Sequence, residues 1–396
     1  MPTKHLKYGG STAARTIGCP AWQALAANLP AKQPKASPAA EEGTCLHDAM
    51  EYLIGEVISP SPEIICANEI IGECFNGIEI TEDMLDSKLT PAADTLAYVF
   101  NRYKITPENI FLEPFVELIP DSAGGSIDVL AFSDDGKTAI IADYKFGFNP
   151  VEAENNAQLL FYALCADVDP QFTDRMTDIE RLVLAIIQPS HDGEVDTTLK
   201  IWETDPDTTL NTFDAKITNA IAVAEEGKSE PSAGPHCKFC PAEAICPVKT
   251  GLARQAQRLP AIEVQNLAEY IPMAEELEAW IKAVRKMAHE QLEIGVKIDG
   301  YKLVNKRASR VWTDAEAVET KIKNMRGVKG HDQYEMKLKS PAQMEKLFKQ
   351  KGVDFAKIAD YITSVSSGTT MAKATDKRPE APSVEAYRAA MAQLPE

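Results

Sequence analysis

Apolar and polar residues follow two periods along the chain, and these predict strands and helices mixed around one sheet. Short apolar runs such as Ile140-Ile141-Ala142 have the length and composition of buried strands. Runs of this kind predict strands at 111–119, 126–132, 138–145, 182–188 and 198–203. Longer segments predict helices at 43–51, 81–104, 152–166 and 207–226. The order of these elements predicts an α/β fold with a mixed central sheet and helices on its faces.

The N-terminal part predicts a short helix after Ser11 that carries Cys19 and Trp22. A Pro/Ala-rich linker from Pro30 to Ala40 follows it. Composition along the whole chain predicts five segments. They are an N-terminal helix and linker at 1–40, a core at 41–230, a cysteine segment at 231–260, a basic module of helices and a hairpin at 261–363, and a tail at 364–396.

The basic module predicts a C-terminal α+β extension of the core. Residues 262–294 predict one long helix, or two helices broken at Ile271-Pro272, because proline lacks the amide hydrogen that a helix interior needs. A strand pair at 301–312 and helices at 313–326 and 341–363 follow. The tail from Ser364 is rich in Ser, Thr, Pro and Ala, which predicts a mobile or loosely docked segment.

Length and composition narrow the class of protein. A chain of 396 residues with 44% hydrophobic content can bury a large core and form more than one module. No apolar run approaches the length of a membrane span, which predicts a cytoplasmic protein without a membrane partner. The net charge of −18 is unusual for a protein that binds nucleic acid.

The charge, however, is unevenly distributed. Residues 1–280 hold 19 Lys and Arg against 44 Asp and Glu, whereas residues 281–351 hold 17 against 9. The basic segment therefore predicts a surface that contacts DNA phosphates. Its candidate residues are Lys302, Lys306, Arg307 and Arg310. The alternative is a solvated surface with no special role.

Two aspartates and a lysine form the candidate catalytic set. The turn Ser133–Lys137 predicts a hairpin that brings Asp128 close to Asp143. Side chains alternate along a strand, so Asp143 and Lys145 face the same way. Buried carboxylates and lysines are unfavourable unless they are paired or bound to metal, so the set predicts a divalent metal site. A structural ion pair is the alternative.

These residues belong to an ordered set of motifs. It comprises Gly125-Ser126-Ile127-Asp128, Asp143-Tyr144-Lys145-Phe146-Gly147, Gln158-Leu159-Leu160-Phe161-Tyr162 and Gly43-Thr44-Cys45-Leu46-His47. In this arrangement the chain resembles the RecB-type branch of the PD-(D/E)xK nuclease superfamily. The resemblance implies a restriction-endonuclease-like core. It also implies metal ligation by His47, Asp128, Asp143 and the Tyr144 carbonyl, with Glu113 as a weaker candidate.

The same resemblance implies an activity. It is hydrolysis of DNA with Mg²⁺ or Mn²⁺, in which Lys145 supports the attacking water while Gln158 and Tyr162 point at the DNA or at the lysine. The branch is mostly exonucleolytic, so the expected substrate is single-stranded DNA or DNA ends. The alternatives are a non-catalytic DNA-binding module and a subunit active only within a complex. The chain has no P-loop motif, so any unwinding requires a partner such as a helicase.

Cysteines form a second constellation. Cys237, Cys240 and Cys246 are spaced C-x2-C-x5-C in a segment rich in Pro, and Cys19 lies 218 residues upstream of Cys237 as the candidate fourth ligand. The set resembles the iron–sulfur staple of AddB-like nucleases, which implies a [4Fe–4S] cluster. A zinc site that recruits His236 is the alternative, and disulfides are disfavoured without a signal peptide. The remaining cysteines predict small core residues: Cys45, Cys66, Cys74 and Cys165.

Motifs in the C-terminal part are similar to those of a family of RecB-like phage and prophage proteins. They are Gly300–Val304, Arg310–Asp314, Ser340–Lys346 and Asp376–Arg378. The similarity implies a phage or prophage setting, in which nuclease activity would serve recombination, repair or replication. It also implies partners such as a phage or host single-strand-binding or recombination protein.

Overall fold

The structure is a computed structural model that describes most of the first three quarters of the chain. The described residues are 6–27, 29, 38–58, 70–147, 149–189, 198–259, 266–302, 304, 343–344, 347–348, 351 and 353–356. The chain divides into two compact units, Met1–Val304 and Asn305–Glu396. The elements below belong to the first unit. The predicted helix at 313–326 and the tail from Ser364 lie outside the described residues, as do most of the predicted strand pair at 301–312 and of the helix at 341–363.

The first unit contains both strands and α-helices. The strands are β1 (Cys74–Phe75), β2 (Ile78–Glu79), β3 (Ile110–Leu112), β4 (Phe115–Ile119), β5 (Ala123–Ser126), β6 (Val129–Phe132), β7 (Thr138–Tyr144), β8 (Arg181–Ile187) and β9 (Leu199–Thr204). The α-helices are α1 (Gly10–Gly18), α2 (Trp22–Ala27), α3 (Pro38–Ile58), α4 (Glu82–Met84), α5 (Thr90–Tyr103), α6 (Ala157–Val168), α7 (Thr173–Thr177), α8 (Pro206–Glu226), α9 (Pro247–Ala256) and α10 (Leu267–Glu293). A π-helical turn at Leu85–Leu89 joins α4 to α5.

A five-stranded mixed sheet forms the centre, with the strand order β3-β6-β7-β8-β9. Neighbouring strands are antiparallel except β7 and β8, which run parallel. Parallel pairing needs a crossover, and α6 and α7 provide it. The prediction of an α/β fold with a mixed central sheet flanked by helices is confirmed.

Both faces of the sheet are covered, which explains why β7 and β8 are apolar along almost their whole length. One face packs against α1, α6 and α8 through residues such as Ile141 and Leu184. The other face packs against α3 and α5 through residues such as Ala142 and Ala185. Every residue of β7 is buried. A polar side chain at the end of this strand therefore enters a largely water-free environment.

The prediction of one continuous strand at 111–119 is wrong, because the strand divides at Glu113-Pro114. Glu113 has a left-handed backbone with φ 47°, and the proline after it cannot donate a ladder hydrogen bond. The second half, β4, pairs with β5 in a separate two-stranded sheet. The predicted strand at 126–132 likewise divides at Ile127-Asp128, since β5 belongs to this small sheet and β6 to the central one.

Helix boundaries also differ from those predicted. The helix predicted from residue 152 begins at Ala157, because Asn156 has extended backbone and its side chain caps the amides of Gln158 and Leu159. Helix α3 begins at Pro38, inside the predicted linker.

The short N-terminal helix is two helices, with Cys19 between α1 and α2. Helix α10 is continuous through Pro272. Within the described residues, no helix combines the length and apolar character needed to cross a membrane.

Gly124 provides a test of the small sheet. A methyl group here would overlap the Val116 carbonyl oxygen of the paired strand, so Gly124→Ala should destabilise the protein by about 1–3 kcal/mol. Gly43→Ala is the matched control, because Gly43 lies inside α3 with open space around it and alanine favours helix. Thermal unfolding followed by circular dichroism measures both. A Gly124→Ala protein as stable as the control would contradict the close approach of β4 and β5.

Candidate functional site

The candidate catalytic residues meet where β6 begins and β7 ends. The register pairs Val129 with Ala142, which brings Asp128 and Asp143 together at the same end of the two strands. Asp143 is 2% exposed. The backbone amide of Lys145 donates to the Ile187 carbonyl at 2.9 Å, so Lys145 is still held to β8 beyond the end of the strand.

Asp143, Lys145 and Gln158 form a closed ring of polar contacts. The Lys145 ammonium lies 2.7 Å from Asp143 Oδ2 and donates to Gln158 Oε1 at 3.0 Å. Gln158 Nε2 donates to Asp143 Oδ1 at 2.7 Å. Gln158 enters from α6, on the sheet face that Asp143 and Lys145 share. The ring fixes the position of the lysine ammonium, and the helix cap at Asn156 fixes the glutamine.

His47, Glu113 and Asp128 form a second cluster beside this ring. One ligand atom of each lies within 4.8 Å of the others. His47 Nδ1 is 3.2 Å from Asp128 Oδ2, and the same oxygen accepts a 2.7 Å hydrogen bond from the Tyr144 amide. His47 projects from α3, so the cluster joins a helix on one face of the sheet to the edge where the strands end.

Burial and mutual charge interactions shift the pKa values of ionisable groups in and beside this cluster. Burial, and then repulsion by Asp128, raises the pKa of Glu113 to about 7. Burial also raises the pKa of Asp143, with a further contribution from Asp128. Burial lowers the pKa of His47, but the Asp128 carboxylate outweighs it and brings the pKa to about 9. Carboxylate oxygens with one imidazole are ligand types that Mg²⁺ and Mn²⁺ accept, so His47, Glu113 and Asp128 could hold such an ion.

Tyr162 lies one helical turn beyond Gln158 and packs against two glycines. A methyl group on Gly10 would lie 2.6 Å from the ring Cζ, and one on Gly125 would lie 3.3 Å from Cε1. The ring therefore fills the space between the start of α1 and β5. Burial and the nearby aspartates raise the pKa of Tyr162, so its hydroxyl stays protonated. Contact with the lysine or with DNA stays a prediction for this residue.

Two supporting residues were missed in the sequence. Gln188 donates to the carbonyls of Gly147 and Asn149 and accepts from the Val151 amide, so it holds the loop between Lys145 and α6. Phe146 makes a T-shaped contact with the His47 ring, with ring centroids 5.5 Å apart. Gln188 directly follows an apolar strand. Its position as a polar residue at a strand end is the sequence signal that could have indicated its role.

The four motif cysteines line one cavity. Cys19 enters between α1 and α2, and Cys237, Cys240 and Cys246 come from the irregular segment before α9. The backbone amide of Cys240 donates to the Cys237 carbonyl at 2.9 Å. This hydrogen bond closes a tight turn between the two cysteines. Phe239 in this turn has φ 65°. The four thiols therefore share one cavity, in which three of them come from a single irregular segment.

His236 also lines the cysteine cavity, but its ring is engaged elsewhere. Its Nε2 lies 3.0 Å from the Ser232 carbonyl, and the ring packs directly on Gly18. The Ser232 hydroxyl in turn donates to the Gly18 carbonyl. These contacts give His236 a packing role at the end of α1. Ligation through its other ring nitrogen stays a prediction.

The other cysteines are only partly as predicted. Cys45 and Cys165 are fully buried core residues, as expected. The prediction is wrong for Cys74, which is exposed because β1 and β2 form a small hairpin at the surface. Cys66 lies outside the described residues. Among the four basic candidates, Lys302 is exposed, and Lys306, Arg307 and Arg310 lie outside the described residues.

Comparison with protein families gives one match that spans most of the chain. The family model described as "Protein of unknown function (DUF2800)" matches residues 5–379 of 396. The matched range includes both the polar ring at the end of β7 and the cysteine cavity. The chain therefore belongs to the family with the description Protein of unknown function (DUF2800).

Proposed function

We propose that the protein is a metal-dependent DNA nuclease. The observation that carries the proposal is Lys145, held between Asp143 and Gln158 beside the cluster of His47, Glu113 and Asp128. A structural ion pair needs no third partner and no adjacent cluster of carboxylates and imidazole. A fixed ammonium beside such a cluster suits phosphodiester hydrolysis, because the reaction builds negative charge on the phosphate.

The residues divide into two groups with different roles. His47, Glu113 and Asp128 would hold Mg²⁺ or Mn²⁺, with Asp143 and the Tyr144 carbonyl as further ligands. When bound, the ion would polarise the phosphate and lower the pKa of water. Lys145 orients the attacking water and stabilises the charge that develops on the phosphate oxygens. Gln158 keeps the lysine side chain in place.

Resemblance supports the finer parts of the proposal. The motif order from Gly43 to Tyr162 supports a restriction-endonuclease-like core of the RecB type. That branch favours an exonuclease acting on single-stranded DNA or DNA ends, and the C-terminal motifs favour a phage or prophage setting. The rival is a nuclease-fold subunit that is active only in a complex. Its support is the chain's lack of a P-loop, which leaves unwinding to a partner.

One assay separates these possibilities. Purified protein is incubated with Mg²⁺ or Mn²⁺ and with end-labelled single-stranded, double-stranded or circular DNA. An exonuclease degrades linear DNA and leaves circles intact, whereas an endonuclease cuts both. Inactivity of the metal-loaded protein alone, restored by a helicase or single-strand-binding partner, would favour the subunit.

We also propose that the cysteine cavity holds a [4Fe–4S] cluster, with structural zinc as the alternative. Four cysteines that line one cavity support this, since thiolates are the usual ligands of such clusters. The group would join Cys19 to Cys237, Cys240 and Cys246 and so close a long loop. Closing it restricts the unfolded chain and stabilises the fold.

Removal of the catalytic lysine should abolish cleavage. Lys145→Ala, Asp128→Ala and Asp143→Ala should each lower the rate by at least about a hundredfold, because the residues act as a unit. Lys145→Met serves as a second variant that keeps the packing of the side-chain stem. Lys137→Ala is the control, since Lys137 lies exposed at the opposite end of β7. Rates come from end-labelled DNA, and circular dichroism reports folding. A folded Lys145 variant that cleaves at the normal rate would refute the assignment of the active site to Asp128, Asp143 and Lys145.

Gln158→Ala tests the polar ring. Loss of the amide frees both Lys145 and Asp143, so we expect cleavage to fall by about 10–100-fold, as for other residues that orient catalytic groups. Gln171→Ala is the control, because Gln171 is an exposed glutamine whose side chain donates to the Phe115 carbonyl of β4, away from the ring. Single-turnover kinetics measure the chemical step. An unchanged rate in Gln158→Ala would show that the ring does not position the lysine.

Metal content tests the cysteine cavity. Anaerobically purified protein should be brown and contain iron and sulfide, and serine at any of the four cysteines should remove them. Cys74→Ser is the control, because Cys74 is exposed and outside the cavity. Elemental analysis decides the outcome. Stoichiometric zinc without iron would replace the cluster by a zinc site and leave the nuclease proposal intact.

A further inference from the structure

The cysteine cavity contains more than thiols. Two cationic side chains line it, Arg15 from α1 and Lys249 from α9. Lys249 is only 5% exposed, which is rare for a lysine because burial of an ammonium is unfavourable without compensating charge. Glu243 also lines the cavity and is partly exposed. The two cations therefore suggest that the cavity binds a negatively charged group.

Arg15 is fixed at several points but keeps one free donor. Its Nη2 donates to the Phe239 carbonyl at 3.0 Å, in the turn between two of the cysteines. The guanidinium lies over the Trp22 ring, 4.9 Å from its centroid. Its Nε is buried and has no hydrogen-bond partner among the described residues. A buried donor without a partner is costly, so a missing acceptor is expected nearby.

Lys249 is held differently. Its ammonium donates to Glu276 Oε2 of α10 at 3.0 Å. Glu276 is about half exposed, so solvent weakens its compensation of the buried charge. Trp280 Nε1 donates to the Ala244 carbonyl and fastens the same helix to the cysteine segment. Lys249 therefore serves partly to join α9 to α10, whereas Arg15 is the cation whose donor remains unused.

We infer that Arg15, assisted by Lys249, balances the negative charge of a thiolate-bound metal group, with Arg15 Nε–H as a donor to its sulfur. Four thiolates around a [4Fe–4S]²⁺ core or around Zn²⁺ both form a dianion. A dianion in a largely buried cavity needs positive charge or hydrogen-bond donors close by. The inference rests on the proposed cofactor, and it is independent of nuclease activity.

The consequence for a cluster is a specific electrostatic effect. One-electron reduction converts the dianion to a trianion, so a nearby cation stabilises the reduced form more than the oxidised one. Hydrogen bonds to cluster sulfur act in the same direction. Loss of Arg15 should therefore move the reduction potential to a more negative value. It should also loosen the group, since supporting residues of this kind change metal retention by about 10–100-fold.

Three variants of the full-length protein test the inference. Arg15→Met removes charge and donors but keeps bulk over Trp22, and Arg15→Lys keeps charge without the fixed Nε donor. Lys238→Met is the control, because Lys238 is an exposed cation in the same turn that does not line the cavity. Each is purified anaerobically, titrated against redox mediators, and mixed with a metal chelator.

We expect Arg15→Met to show a more negative potential and about 10–100-fold faster release of metal to the chelator. Arg15→Lys should fall between Arg15→Met and the wild type, and Lys238→Met should match the wild type. If the wild type contains zinc, which is not redox-active, the rate of metal release to the chelator is the only measurement compared among the variants. A wild type without metal, or an Arg15→Met and Arg15→Lys pair that both keep wild-type potential and release rate, would overturn the inference. Cleavage of DNA, measured in parallel, decides the nuclease proposal separately.

Discussion

The constraint on which the rest of the site depends is the burial of Asp143 at the end of a strand covered on both faces. A carboxylate in this position is stable only with partners, and the structure provides Lys145 and Gln158. Helix α6 packs on the sheet through its apolar residues, and its N-terminal turn brings Gln158 to the strand end. The polar ring is therefore both part of the packing of the sheet and the source of its candidate chemistry.

Helix α1 connects the two candidate sites. Its first residue, Gly10, lies against the Tyr162 ring, while Arg15 and the following Cys19 line the cysteine cavity. Near its start, Tyr8 donates to Glu225 of α8 at 2.7 Å. A group bound by the four cysteines would thus anchor the C-terminal end of a helix whose N-terminal end packs against Tyr162. Through α1, cysteines that are far apart in the sequence could therefore stabilise the packing around Tyr162.

The places where the sequence predictions are wrong have local physical causes. Glu113 adopts a left-handed backbone before a proline, which divides a strand that looked continuous. The same break turns Glu113 towards His47 and Asp128, where it becomes a member of the cluster. Asn156 caps its helix, which begins at Ala157, five residues later than the apolar pattern predicts. The position of a helix cap and the sign of a φ angle depend on neighbouring elements. The period of apolar residues therefore does not reveal them.

The sequence by itself determined the α/β class, the strands β7 and β8, and the pairing of Asp128 with Asp143, because apolar periodicity and a hairpin turn are local properties. It also indicated that Lys145 faces the same way as Asp143 and that four cysteines belong to one set. Only the tertiary structure decided that Gln158 joins Lys145 to Asp143, that Gln188 holds the connecting loop, and that Arg15 and Lys249 line the cysteine cavity. These contacts join residues far apart in the chain, and their partners are set by how helices pack across the sheet.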